Sequence, residues 1–296
     1  MTGGALVAFA GNSWLCRAAL RSQAIDPASF TAVRLTSGAV ALGLLLFARP
    51  LRPGAPRLAG GWASAAALFA YAIAFSLAYV ELSAGVGALI LFGFVQITML
   101  VGGLLSGHRL TRYDGAGLAL ALAGLGWLTL PGVAASAAGE RAPPLAALGM
   151  AAAGVAWGIY SLRGRNERAA PLAVTAGNFA RATPLALAML LAMLALPLVG
   201  WTTSSPHASL GGIALAVFSG ALTSGVGYAI WYAALPGLRP LSAGLVQLGV
   251  PVLTALGGVL LLSEELGARL VLSGLLVLSS IALAVAGPRP VAPAKR

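Results

Sequence analysis

The chain has 296 residues, of which 59% are apolar and 8% charged, with a formal net charge of +11 and a single cysteine, Cys16. This balance excludes a soluble globular domain of such size, and one cysteine excludes an intrachain disulfide. The basic residues lie singly or in threes between apolar runs rather than in one stripe, a distribution that orients a chain in a membrane and offers no footprint for nucleic acid.

A helix needs about 20 mostly apolar residues to cross the hydrocarbon layer. Charges, prolines and glycines mark ten such runs, near 3–20, 28–48, 59–80, 84–106, 114–131, 145–163, 171–199, 210–234, 240–262 and 268–286. Backbone groups in lipid must be satisfied within each segment, so the runs read as helices, and the alternating pattern of a β-barrel is absent. Residues 1–10 lack a basic leader region and read as the start of the first span. The connections are too short for a catalytic domain. Residues 288–296, rich in proline and basic side chains, read as a disordered cytoplasmic tail.

Ten spans put both termini on one face. Twelve of the 18 basic residues fall on that face, four on the other (Arg17, Arg21, Arg141 and Arg269), and Arg34 and Arg181 fall inside spans. By the positive-inside rule the termini are expected in the cytoplasm, with the chain in a bacterial inner (plasma) membrane.

An internal repeat emerges on shifting the sequence. At a shift of 157, Tyr71-Ala72-Ile73 meets Tyr228-Ala229-Ile230, Gly87 meets Gly244, and Leu104-Leu105-Ser106 meets Leu261-Leu262-Ser263. At 147, Gly11 meets Gly158 and Arg34 meets Arg181. The expected fold is therefore an all-α polytopic membrane protein of ten transmembrane helices in two inverted five-helix repeats, residues 1–140 and 141–287. Such an arrangement places a solute site near the midplane between the halves.

The first helices of the two halves carry Gly11-Asn12-Ser13-Trp14 and Trp157-Gly158-Ile159-Tyr160, and the second helices carry Arg34 and Arg181. The fourth helix of the second half runs from Val250-Pro251 to Glu264-Glu265, where the first half has Gln96 and Thr98 but neither a proline nor a glutamate pair. These features resemble the drug/metabolite transporter superfamily, in particular its EamA-type branch. Within it the chain is most similar to the bacterial YddG-type exporters, which implies export of aromatic or other neutral amino acids; the inverted repeat leads to alternating access as the expected mechanism, and neither ATP nor a cofactor is expected.

Several residues are candidates to line a solute cavity. Tyr71, Phe75 and Tyr79 recur every fourth residue on the third helix, Tyr228 and Trp231 occupy the matching part of the eighth, and Trp157 and Tyr160 lie on the sixth. Such rings would wall a pocket for an apolar or aromatic group, or serve ordinary packing. The buried amides Asn12, Gln96, Asn178 and Gln247 can bond a zwitterion or tie helices together. Arg34 and Arg181 can meet a carboxylate or cap neighbouring helices, the second reading carrying more weight. Pro236, Gly237 and Pro251 are candidate hinge points. Gly154 and Gly158, four residues apart, offer a small face for close helix approach.

Signatures of catalysis are missing. There is no phosphate-binding loop, no metal-spaced histidine pair and no nucleophile elbow. A carrier of a small-molecule substrate in the bilayer is expected rather than an enzyme, and nothing in the reading demands more than a monomer. A drug-like cation or a nucleotide sugar is the alternative cargo; a membrane enzyme and a channel are the alternative classes, the channel lacking the continuous polar lining it would need.

Overall fold

The computed structural model describes residues 2–48, 58–106, 112–129, 143–196, 206–238 and 240–286. The boundary at 140/141, the tail 288–296, and Arg49, Arg52, Arg57, His108, Arg109, Glu140, Arg141 and Arg239 lie outside them. The described residues form helices and no strand; an isolated bridge joins Ile25 to Ala208.

Local chemistry sets the helix ends. Helix α1 (Thr2–Arg21) is followed by α2 (Pro27–Phe47), whose start is fixed by Pro27 and by the Asp26 carboxylate, which accepts from the amides of Ala28 and Ser29, both at 2.9 Å. Helix α3 (Trp62–Ala78) begins later than the expected residue 59, because residues 59–61 bond to α7 instead. There Ala59 N donates to Ala173 O at 3.0 Å and Gly61 N to Asn178 Oδ1 at 3.2 Å. Gly60 between them takes a φ of +75°, a conformation that glycine adopts without a steric cost.

Next come α4 (Ala84–Leu105), α5 (Arg112–Thr129), α6 (Pro144–Arg165) and α7 (Pro171–Ala195), which stays helical through Pro184. The run expected as one helix at 210–234 is a rod, Leu210–Gly237, of mixed winding. It comprises α8 (Leu210–Phe218), a π-helical segment (Ser219–Val226), α9 (Gly227–Ala234) and a closing 3-10 turn (Leu235–Gly237) that holds Pro236 and Gly237. The run at 240–262 is likewise broken, into α10 (Pro240–Gln247) and α11 (Gly249–Leu262). Pro251 has no amide hydrogen to give the carbonyl four residues back, which is that of Gln247, and the helix parts there. Helix α12 (Ala268–Ala286) is the last.

Among the described residues, five segments are long and apolar enough to cross a membrane: α2, α4, α6, α7 and Leu210–Gly237. Burial is inverted relative to a soluble protein. Leu105 and Leu260 are 85% and 80% exposed, whereas Arg34 and Gln247 are fully buried. Leucine on the rim and arginine inside suit a surround of hydrocarbon.

Helix α2 packs on α7 and on the π segment, α5 on α12, α3 on α6 and α7, and α4 on α6, α10 and α11, while α1 lies against α8, the π segment, α9 and α11. The α4–α6 contact uses the expected small face: a Cβ added at Gly158 would sit 2.6 Å from Thr98 Cβ, and one added at Gly154 would strike the Leu91 carbonyl. Gly158→Leu should therefore lower stability by about 1–3 kcal/mol. A thermal melt of the detergent-solubilised variant that matched the parent would contradict this packing.

Candidate functional site

Five polar side chains from α1, α3, the π segment and α9 meet around one guanidinium, that of Arg34 on α2. Arg34 lies seven residues into α2, about 10 Å along its axis at 1.5 Å per residue, and is wholly buried. Its Nε donates to Ser224 Oγ at 2.8 Å, and its Nη2 donates to Tyr71 Oη at 3.2 Å and Tyr228 Oη at 2.6 Å. The two phenols also bond each other, Tyr228 donating to Tyr71 at 3.1 Å. Asn12 closes the ring: its Nδ2 donates to Tyr71 Oη at 3.2 Å, and its Oδ1 accepts from Ser219 at 2.6 Å and Ser224 at 3.2 Å.

The π winding explains how Ser219 and Ser224 share one acceptor. Five residues of α-helix turn about 500°, which sets two side chains some 140° apart. The wider π turn repeats with i→i+5 bonding and brings them to the same side. Gly220 in this segment permits contact with α2, since a Cβ there would strike Arg34 O and Ser37 Oγ.

Three of the five N–H groups of Arg34 are thus used, while both on Nη1 are buried without a protein partner. No described carboxylate neutralises the charge. Two ring faces stabilise it without cancelling it, with Arg34 Cζ 5.2 Å from the Tyr71 centroid and 5.1 Å from that of Phe75.

An aromatic shell encloses the polar ring. Trp157 of α6 stands 4.5 Å from Tyr228 and 5.1 Å from Tyr71, centroid to centroid. Phe9 of α1 meets Trp157 at 5.2 Å and both Tyr228 and Trp231 at 5.7 Å, and Phe179 of α7 lies 5.9 Å from Tyr228. The polar tips of the indoles are satisfied: Trp157 Nε1 donates to Gln247 Oε1 at 2.6 Å and Trp231 Nε1 to Ser161 Oγ at 3.1 Å. Both Gln96 Oε1 and Tyr160 Oη are buried without a partner.

A protein of known crystal structure superposes on this chain with a TM-score of 0.66 at 21% identity, over 96% of this chain and 98% of its own, a likeness of fold. An uncharacterized protein of Pseudomonas aeruginosa is 54% identical over 287 residues, which span 95% of this chain and 92% of that one. The EamA-like transporter family matches residues 144–286. The chain belongs to the EamA-like transporter family.

In this EamA-like transporter, a multi-pass membrane protein, the residues singled out from sequence divide in two. Asn12, Tyr71, Trp157, Tyr160, Tyr228, Trp231 and Gln247 converge on the ring or its shell, and Gln96 of α4 is buried with its Oε1 unbonded. The others bond elsewhere: Tyr79 donates its hydroxyl to Ala84 O at 3.2 Å in the α3–α4 corner, and Asn178 Oδ1 holds the start of α3. Arg181 does likewise, with Nη1 donating at 2.9 Å to both Ala59 O and Gly177 O. The two arginines that the repeat pairs thus have different work, and Arg34 is the buried one. Ser219, Ser224 and Phe9 escaped the sequence reading. The paired Ser-Gly steps at 219–220 and 224–225, in an otherwise apolar run, were the available signal.

At the face carrying the α1–α2 and α3–α4 turns, one ion pair ties four helices. Arg17 Nε meets Glu264 Oε1 at 3.3 Å, and Arg17 Nη1 donates at 3.0 Å to Tyr79 O and Val80 O at the end of α3. Glu264 accepts from Ala84 N with both oxygens, at 3.2 and 2.9 Å, at the start of α4. Arg21 adds a 2.8 Å bond to Leu262 O, ending α11. Because these groups share partners, a double-mutant cycle with Arg17→Ala and Glu264→Gln should give a coupling of about 0.5–3 kcal/mol by thermal melting of the EamA-like transporter. Strict additivity would mean that the pair holds nothing together.

Proposed function

We propose that this EamA-like transporter exports small organic metabolites, amino acids with aromatic side chains among them, by alternating access without ATP. The observation that carries the reading is the meeting of Tyr71 with Tyr228. The 157-residue shift sets them in equivalent places, and their hydroxyls touch within a buried polar ring walled by aromatic side chains. A site shared by two halves is where a rocking carrier binds its cargo.

The packing supports two five-helix halves related by exchange. Helix α2 pairs with α7 and α5 with α12, which are self-partners under that exchange. The contact of α3 with α6 has its counterpart in the Leu210–Gly237 rod against α1, and that of α4 with α6 in α11 against α1. On this reading ten spans place both termini in the cytoplasm, and the Arg17–Glu264 pair fastens the outer face of a bacterial inner membrane. The hinges are Pro251, at the α10/α11 break, and Pro236-Gly237, in the closing 3-10 turn.

The carboxylates Asp26, Glu81, Glu167, Glu264 and Glu265 stand between helices and Asp114 stands in the first turn of α5, so no described helix carries an acid near its middle for proton relay. Facilitated or exchange transport follows. A drug-like cation is disfavoured because the ring already holds the buried cation Arg34. Proteoliposomes containing the purified chain should equilibrate labelled phenylalanine with no pH gradient. Flux that appears only with a proton gradient would overturn the uncoupled mechanism, and no flux for amino acids, sugars or nucleotide sugars would overturn the carrier itself.

A further inference from the structure

We infer that Arg34 is a carboxylate receptor, and that the site selects arylalkyl monocarboxylates whether or not they carry an amino group. This rests on the carrier reading above and names what its site recognises.

Four observations lead there. The guanidinium is fully buried, and its Nη1, with two N–H groups, has no protein partner. Its other three N–H groups are held by Ser224, Tyr71 and Tyr228, which fixes the orientation of the fork. The groups facing it are neutral: two phenols, two serine hydroxyls, the Asn12 amide and the Cys16 thiol, with no described carboxylate among them. Aromatic rings surround the whole.

Charge balance then selects the ligand. A lone guanidinium away from water costs several kcal/mol, and a monoanion cancels the charge while taking the two unused donors. A phosphate dianion would leave a net negative charge in the same apolar surround, so a carboxylate fits better than a phosphate ester. An ammonium group meets no described anion here, and the ring faces nearest the charge, those of Tyr71 and Phe75, are already taken by Arg34. The amino group of an amino acid is therefore dispensable, and the aryl group packs among the rings near Trp157 and Phe9. Access to Nη1 requires those rings to part.

The test is a ligand series on the unaltered, detergent-purified full chain, read as thermal stabilisation against concentration. The probes are L-phenylalanine, 3-phenylpropionate, L-phenylalaninamide and phenethylamine. Both acids should stabilise the protein saturably with affinities within about tenfold of each other, while the amide and the amine should not. In Arg34→Gln the acids should bind at least about tenfold more weakly, with Arg34→Lys intermediate and Arg181→Gln unchanged. The inference is overturned if the amide or amine binds as tightly as the acids, if neither acid binds, or if folded Arg34→Gln binds them as the parent does. The series on the parent decides the matter even where Arg34→Gln fails to fold. Acids that bind but never cross a proteoliposome would defeat the carrier reading alone, whereas transport of the amine without binding of the acids would defeat this inference alone.

Discussion

A positive charge that no described acid neutralises, held away from water, is the constraint around which this molecule is arranged. Burying a guanidinium is tolerable only where its hydrogens find acceptors and its charge finds electron-rich surfaces. Here the acceptors come from α3, the π segment and α9, and the surfaces are the faces of Tyr71 and Phe75. Helices remote in sequence must converge on Arg34 for the charge to be tolerated, so the charge specifies the packing as much as the packing encloses the charge.

The irregular windings lie where that convergence needs them. An uninterrupted α-helix over Leu210–Gly237 would point Ser219 and Ser224 in different directions, and Asn12 Oδ1 could not accept from both. The π segment removes the conflict, in keeping with the habit of such segments to mark functional positions. The break before Gly249 lies beside Gln247, whose side-chain oxygen accepts from Trp157 while its Nε2 donates back to Ala243 O at 3.0 Å. Gln247 therefore closes the end of α10 and positions an indole of the shell at once.

Much of the fold was legible because lipid imposes a simple grammar. Apolar runs of spanning length, punctuated by Pro27, Pro144 and Pro171 at helix starts, gave most helices to within a few residues. The 157-residue shift aligned Tyr71 with Tyr228, two residues that prove to be in contact. What could not be read was the identity of partners. Arg34 and Arg181 look alike in sequence, each a lone cation in an apolar run. What separates them is that the partners of Arg34 lie 37, 190 and 194 residues away, whereas Arg181 finds carbonyls at Gly177, within its own helix, and at Ala59. Asn178 misled for a related reason: an amide on a helix face does not reveal that the chain preceding α3 will fold back to claim it.

Helix α11 links the two ends of the bundle. It is a short rod, Gly249–Leu262, with the proline break and Gln247 just before it and Glu264 just after. Along its length it is stapled to α1, where Trp14 Nε1 donates to Thr254 O at 2.9 Å and Gly257 leaves room for the same indole. The helix thus runs from the break beside the Gln247–Trp157 bond at one end to the Arg17–Glu264 pair at the other. Trp157 lies against both tyrosines that hold Arg34, so an unbroken chain of contacts runs from the ion pair along α11 to the aromatic shell around the buried charge.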